Sequence, residues 1–147
     1  MQGRRIFVFT DKMDSIKPQF TRIDLKSYEE KIVCGPKFGR SRFTVFYQDR
    51  DEEAYLVGGQ YLDQLVTKCE SFDVNNNKWK TIGDLNDPRL NPGIMKTAQN
   101  LYVFGGASSV ISLSHKNYKV TIEKLNLNGS SSFETIKIDM SKLDIIW

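Results

Sequence analysis

Three arginines, Arg40, Arg42 and Arg89, are the side chains of this sequence best suited to hold a charged group. A guanidinium presents a fork of N–H donors that binds a carboxylate or a phosphate in a bidentate geometry. Each arginine could therefore bind an anionic group of a partner. Arg42 and Arg89 lie 16 positions before Gly58 and Gly105, and such a recurring arginine could instead brace neighbouring loops. Arg40 lies outside this spacing and is the freer candidate for binding.

The other chemically versatile residues exclude much enzymology. His115 is the single histidine, so a multi-histidine metal centre is excluded, although a mixed site with carboxylates or thiols stays open. A loop histidine without a positioned partner is more often solvated than catalytic. Cys34 and Cys69 lie in dissimilar surroundings, which favours reduced thiols over a disulfide. We expect no metal, no cofactor and no catalytic residue.

Composition and charge are those of one globular domain, with 147 residues, 39% hydrophobic and 27% charged. The 21 basic and 18 acidic residues leave a net charge of +3, which does not indicate nucleic-acid binding. The sequence has no run of about eighteen apolar residues and no apolar stretch typical of a secretory signal. We therefore expect no nucleic acid and no membrane among the partners, and a cytoplasmic or nuclear location.

The elements that must position these side chains are short strands. Apolar segments rich in β-branched and aromatic residues recur between turn residues, and no 3.6-residue period persists, which predicts an all-β fold. The hexads AYLVGG at 54–59 and LYVFGG at 101–106 lie 47 positions apart, and IFVFTD at 6–11 precedes the first by 48. A fixed period of this length is typical of a repeat architecture such as a propeller.

These repeats resemble the kelch family, in which about fifty residues form one four-stranded propeller blade. The resemblance covers essentially the whole chain, and the middle copy carries it most fully, with a glycine pair, an aspartate at a strand end, an asparagine-rich turn and a tryptophan. The first copy lacks the glycines and the tryptophan. The residues that the resemblance assigns to the structural repeat are Gly58, Gly59, Asp73, Trp79, Gly105, Gly106 and Phe133.

The resemblance implies an all-β fold, a kelch-type β-propeller portion with about three four-stranded antiparallel blades. We assign an incomplete blade to 1–33, blades to 34–82 and 83–138, and the first strand of a next blade to 139–147. Closed propellers typically have about four to eight blades. Two interpretations stay open: the chain is part of a larger propeller, or a second copy completes a six-bladed ring by adding its terminal strand.

In kelch proteins the loops after the second and fourth strands lie on one face, where related adaptors bind short peptides. Here these loops are 11–17, 60–67 and 107–118, joined by 34–42 and 83–91. Long loops on a rigid scaffold often carry binding, although the loop at 107–118 could equally be an idle surface insertion. The candidate partner-binding residues are Arg40, Arg42, Gln60, Tyr61, Asp63, Arg89, His115, Asn117 and Tyr118.

The leading interpretation is a non-enzymatic protein–protein interaction module, a scaffold or assembly subunit that binds polypeptide partners through the propeller loops. The partner would be another protein, a larger assembly or a second copy of the chain. The alternative is a fragment of a kelch-type enzyme that acts on a sugar acid or a related small anion, in which Arg40, Arg42 and Asp63 would face the substrate. A kelch-type copper oxidase needs two histidines and is not compatible with this sequence.

Overall fold

The computed structural model describes residues 5–10, 19–48, 52–108 and 121–137, and these residues form strands, turns and loops without a helix. The prediction of an all-β fold is thereby confirmed. No helix able to cross a membrane occurs in the described ranges. Three candidate binding residues, His115, Asn117 and Tyr118, and the strand expected at 139–147 lie outside them.

Within the described ranges the strands form three meandering sheets and one small hairpin, and all pairings between these strands are antiparallel. Sheet 1 contains β1 (Arg5–Thr10), β2 (Gln19–Asp24) and β3 (Glu30–Val33). Sheet 2 contains β4 (Thr44–Gln48), β5 (Glu53–Val57), β8 (Lys68–Asp73) and β9 (Lys78–Asp84), and β6 (Gln60–Tyr61) pairs with β7 (Gln64–Leu65) in the hairpin. Sheet 3 contains β10 (Gly93–Lys96), β11 (Asn100–Phe104), β12 (Ile122–Asn126) and β13 (Glu134–Ile136).

One strand extends past a domain boundary expected from the sequence. The boundary between the second and third repeats was placed after residue 82, but β9 continues to Asp84. A register shift between Cys69 and Glu70 lets Gly83 and Asp84 pair with the beginning of β8. A β-bulge of this kind adds a residue to one strand without ending the pairing, which a repeat period does not reveal.

Two hydrophobic cores lie between consecutive sheets, so that sheet 2 is covered on both faces. Phe20, Phe72 and Trp79 pack in the core between sheets 1 and 2. Leu101 and Phe133 pack in the core between sheets 2 and 3. The side chains of residues 54–57 on β5 are all buried, Ala54 in the core with sheet 1 and Tyr55 and Val57 in the core with sheet 3, which explains the continuous apolar run in this strand.

The tryptophan and the phenylalanine of the repeat each lie between two sheets. The ring of Trp79 lies 5.7 Å from that of Phe20 and 5.0 Å from that of Phe72, and its indole N–H donates a 2.7 Å hydrogen bond to the carbonyl oxygen of Cys34. Phe133 is 6% exposed among the apolar residues of sheets 2 and 3. The aromatic side chain thus joins sheet 2 to sheet 1, and sheet 3 to sheet 2.

The glycine pair after the second strand of sheets 2 and 3 is favoured by the backbone conformation, and at Gly58 by lack of space as well. Gly58 and Gly59 have φ of 70° and 100°, and Gly105 and Gly106 repeat this left-handed geometry at 63° and 81°. A Cβ on Gly58 would lie 2.4 Å from the carbonyl oxygen of Arg89, so a side chain there would collide with the backbone of the next connection. Glycine avoids both the strain and the collision.

A polar side chain at the same repeat position closes the turn between the last two strands of each sheet. A side-chain oxygen of Asp73 accepts hydrogen bonds of 2.9 Å from the backbone N–H groups of Asn75 and Asn76. Asp24 and Asn126 accept equivalent bonds in sheets 1 and 3. The hydrogen bonds from Asn76 and Asn75 lower the pKa of the Asp73 carboxyl and favour its charged form.

Candidate interaction site at the loop end of the sheets

Arg40 forms a buried ion pair that fixes the connection between sheets 1 and 2. Its guanidinium lies 2.5 Å from a carboxylate oxygen of Glu70, and neither side chain is exposed. Arg40 also donates hydrogen bonds to the carbonyl oxygens of Phe38, Gly58 and Lys68. Burial lowers the pKa of this guanidinium, while the charge of Glu70 opposes that shift.

Arg89 repeats the same arrangement in the connection between sheets 2 and 3. Its guanidinium lies 2.7 Å from a carboxylate oxygen of Glu123, and both side chains are fully buried. It donates hydrogen bonds to the carbonyl oxygens of Asp87, Gly105 and Thr121. These acceptors occupy the positions that Phe38, Gly58 and Lys68 hold around Arg40.

The structure corrects the register inferred for the arginines. The equivalent of Arg89 is Arg40, whereas the sequence spacing had matched Arg89 with Arg42. Arg42 is exposed, has a positive φ of 53° and occupies the turn position that Asn91, with φ of 46°, holds in the next repeat. The spacing failed because the hairpin between the first two strands is two residues longer in sheet 2: Thr44 pairs with Val57, whereas the equivalent Gly93 pairs with Phe104. Since the guanidinium groups of Arg40 and Arg89 are buried and paired, neither is presented to a partner at the surface.

Backbone pairing brings the loops at this end of the sheets together. Ser41 and Gln60 form an isolated antiparallel bridge with hydrogen bonds of 2.7 and 2.9 Å, and Leu90 and Ala107 form the equivalent bridge in sheet 3. The two connections are also linked to each other, because the N–H of Asn91 donates a 2.8 Å bond to the carbonyl oxygen of Arg42. The result is a hydrogen-bonded platform, which we call the loop end.

A cleft of about 400 Å³ opens at the loop end beside the β6–β7 hairpin. Phe38, Leu65 and Val66 supply apolar surface, and Tyr61 and Gln64 supply polar groups at the hairpin. The ammonium group of Lys37 lies 5.6 Å from the centre of the Phe38 ring, which places a positive charge on the apolar wall. The cleft thus combines apolar contacts with a cation and hydrogen-bonding groups.

The hairpin tip projects large side chains into solvent. Tyr61 is 41% exposed and Leu62, which has a positive φ of 52°, is 75% exposed. Asp63 is also exposed, and Gln60 is half-buried at the bridge with Ser41. Of the candidate residues from the sequence, Tyr61 lines the cleft itself, and Gln60 and Asp63 flank it on the same hairpin.

Sequence reasoning missed several residues of this cleft, among them Lys37, Phe38, Gln64 and Leu65. All four lie in the loops 34–42 and 60–67 that the sequence had selected. The individual residues were chosen for polar or charged side chains, and no local signal marks an apolar side chain that stays accessible. The aromatic residue Phe38 within a polar loop is the one signal that could have pointed to the cleft.

A second cleft of about 460 Å³ lies at the opposite ends of the strands, between sheets 2 and 3. Its charged groups bind each other, because Lys80 lies 2.9 Å from a carboxylate oxygen of Glu53 and the Tyr55 hydroxyl donates a 2.8 Å hydrogen bond to the other oxygen. The described residues contain no group of His, Cys, Asp and Glu side chains that could hold a metal ion. Because the charged groups of the second cleft are already paired with each other, the loop-end cleft is the better candidate for binding.

Comparison with known proteins gives one informative similarity. No protein-family model matches the chain. A RING finger domain and kelch repeat-containing protein of Dictyostelium discoideum is 27% identical to it over 73 residues, which are 50% of this chain and 7% of that protein. The similarity is thus to a small part of a much longer kelch repeat-containing protein, and it agrees with the all-β, antiparallel architecture.

Proposed function

We propose that this chain is a non-enzymatic protein-interaction module of kelch-type blades that binds polypeptide segments in the loop-end cleft. In this proposal sheets 1, 2 and 3 are consecutive blades of a propeller portion. The face-to-face packing of the sheets supports it, as does the contact between β4 and β10, which are the first strands of sheets 2 and 3. The similarity to a kelch repeat-containing protein supports it as well.

The observation that carries the proposal is an accessible apolar cleft on a rigid base. Tyr61 and Leu62 are exposed at the edge of a cleft walled by Phe38, Leu65 and Val66. Below it, the buried pair of Arg40 and Glu70 fixes the connection that carries Phe38, because the N–H of Lys37 donates a 2.8 Å hydrogen bond to Glu70. A rigid site binds with less loss of conformational entropy.

The cleft chemistry favours a peptide that carries an apolar side chain next to a carboxylate. The apolar residue would pack against Phe38 and Leu65, and the carboxylate would pair with the exposed ammonium group of Lys37. Lys68 also lines the cleft, but its ammonium group already lies 2.6 Å from Asp84. Lys37 is therefore the cation that selects for acidic peptides.

The buried arginines favour a binding role over catalysis on a small anion. That alternative assigns Arg40 to the substrate, whereas Arg40 is 3% exposed and paired with Glu70. The other two residues that this alternative assigns to the substrate, Arg42 and Asp63, are exposed. A substrate anion would have to displace Glu70 from a fully desolvated pair, which is strongly unfavourable.

The proposal is tested by selecting peptides from a phage-displayed random library on the immobilised chain. An enriched peptide is synthesised and its dissociation constant is measured by fluorescence anisotropy. We expect Tyr61→Ala and Lys37→Glu each to weaken binding about tenfold or more, as is typical of central contacts in an interface.

Matched controls lie on surfaces outside the cleft. Tyr28→Ala removes an exposed aromatic residue and Lys78→Glu reverses an exposed charge, and both variants should bind the peptide as the parent does. Failure to enrich any peptide, or equal binding by the parent and the Tyr61→Ala variant, would contradict the proposed function.

A further inference from the structure

Sheets 1 and 3 carry outer faces that are largely apolar and that no described residue covers. We call the outer face of sheet 1 the leading face and that of sheet 3 the trailing face. The leading face consists of Ile6, Val8, Thr21, Ile23, Glu30 and Ile32. The trailing face has Met95, Tyr102, Phe104, Ile122 and Ile136, and the ion pair of Lys124 and Glu134 also lies on it.

Both faces expose large hydrophobic side chains. On the leading face Ile6 is 46% and Ile32 is 69% exposed, and on the trailing face Met95 is 51% and Phe104 is 42% exposed. Contiguous apolar surface of this kind is rare on soluble proteins and marks an interaction surface. Exposure alone does not identify the partner. Comparison of these faces with the corresponding faces of sheet 2 indicates that the partner is another sheet of the same repeat.

The residues of β1 and β11 on these faces have buried equivalents in β5 of sheet 2. Ile6 and Val8 precede Ala54 and Leu56 by 48 positions, and these two residues of β5 are buried. The face of sheet 2 to which Ala54 belongs packs on sheet 1. The leading face of sheet 1 is therefore built to pack on the trailing face of a preceding sheet.

The trailing face follows the same rule. Tyr102 and Phe104 follow Tyr55 and Val57 by 47 positions, and those two residues pack in the core shared with sheet 3. Ile122 is aligned with the buried Cys69, because each precedes by one residue the glutamate of a buried ion pair. The trailing face of sheet 3 is therefore built to receive the leading face of a following sheet.

We infer that the trailing face of one copy of this chain packs on the leading face of a second copy. The two faces are the unpaired halves of an interface that the chain already forms twice internally, between sheets 1 and 2 and between sheets 2 and 3. The contact is heterologous, since different patches of the two copies meet. Such a contact gives a closed ring of two copies when the rotation between them permits, and otherwise an open chain of copies. Neither face includes a residue of the loop-end cleft, so this inference does not rest on peptide binding.

The inference is tested by measuring the mass of the 147-residue chain in solution across the micromolar range by sedimentation equilibrium. We expect the mass to exceed that of one copy. Ile32→Glu on the leading face and Phe104→Glu on the trailing face should each weaken self-association about tenfold or more, because a carboxylate would be buried in the contact. Both residues are exposed, and circular dichroism checks that each variant remains folded.

Mixing the two variants distinguishes a heterologous contact from other associations. The Ile32→Glu chain keeps an intact trailing face and the Phe104→Glu chain keeps an intact leading face, so an equimolar mixture should recover one sound interface and associate. Ile6→Glu and Met95→Glu provide a second pair for the same measurement, and Tyr28→Ala is the control for the loss of an exposed aromatic residue.

Three results would overturn the inference. One is a parent chain that keeps the mass of a single copy throughout the concentration range. Another is self-association that only one of the two variants disrupts, which indicates a two-fold contact through one face. The third is a mixture of the two variants that does not associate.

Discussion

At the scale of single residues, the most consequential feature is the repeated buried ion pair. Arg40 with Glu70, and Arg89 with Glu123, each join a connection between two sheets to the third strand of the following sheet. Each arginine also satisfies backbone carbonyl oxygens that would otherwise be buried without a donor. The pairs therefore fix the geometry of the loop end, whatever their net contribution to stability.

Removing one partner of such a pair should be costly, because the other charge stays buried. We expect Glu123→Gln to lower the free energy of unfolding by about 3–5 kcal/mol. Glu134→Gln is the matched control, since Glu134 lies 2.9 Å from Lys124 in an ion pair at the surface and its side chain is 68% exposed. Urea denaturation followed by tryptophan fluorescence measures both. A Glu123→Gln variant that unfolds at the same urea concentration as the parent would show that the pair does not brace the sheets.

At the scale of elements, sheets 2 and 3 each depend on an aromatic side chain on or directly before their last strand. Trp79 on β9 packs on Phe20 of sheet 1 and on Phe72 of its own sheet. Phe133, just before β13, holds the equivalent place against sheet 2. Because the packing joins consecutive sheets, it stabilises the interface between repeats as well as the sheet itself.

Trp79→Ala should destabilise the chain by about 3 kcal/mol, near the lower end for a core aromatic residue, because the indole is only partly buried. Trp79→Phe should keep most of the ring packing and lose about 1 kcal/mol with the hydrogen bond to Cys34. Lys78→Ala, at the preceding exposed position of the same strand, is the control. Thermal unfolding followed by circular dichroism compares the three variants. If Trp79→Ala melts with the parent, the tryptophan does not join the sheets.

At the scale of the whole molecule, stability is unevenly distributed along the array of sheets. Sheet 2 has neighbours on both faces, whereas sheets 1 and 3 each have one face open among the described residues. In a repeat array each unit is stabilised mainly by its nearest neighbours. Sheet 2 is therefore expected to be the last of the three sheets to unfold.

Amide hydrogen exchange in dilute solution tests this expectation. The N–H groups of β5 and β8 should exchange most slowly, because these central strands are paired on both sides and their side chains are largely buried. Those of β3 should exchange faster, since it lies at the edge of sheet 1 and residues 30–32 are exposed. Equal protection of β3 and β5 would contradict the array and indicate one uniformly cooperative unit.

Much of the fold was predictable because it is encoded locally. The glycine pairs at 58–59 and 105–106 predicted sharp turns, and both pairs have positive φ. The side chains at Asp24, Asp73 and Asn126 recur at the turns between strands, where each accepts backbone hydrogen bonds within a few residues. Such features depend on residues two or three positions apart, and a sequence pattern reveals them directly.

The candidate site was predictable only as a set of loops. The segments 34–42 and 60–67 do form the loop-end cleft, but Arg40, chosen as the freest binding residue, is 3% exposed. The glutamate that holds it follows 30 positions later in the chain. Glu70 and Glu123 recur at equivalent strand positions. This recurrence was the available signal that each repeat buries an arginine beside the glutamate.

The sequence by itself determined the all-β fold, the period of the repeat and the places where the chain turns, because steric limits on the backbone and the alternation of side chains act over a few residues. The tertiary structure alone decided which arginines are buried, which aromatic residues line a cleft and which sheet faces stay open. Those outcomes depend on which distant strands come into contact, since a side chain is buried or exposed only with respect to neighbours that the local sequence does not contain.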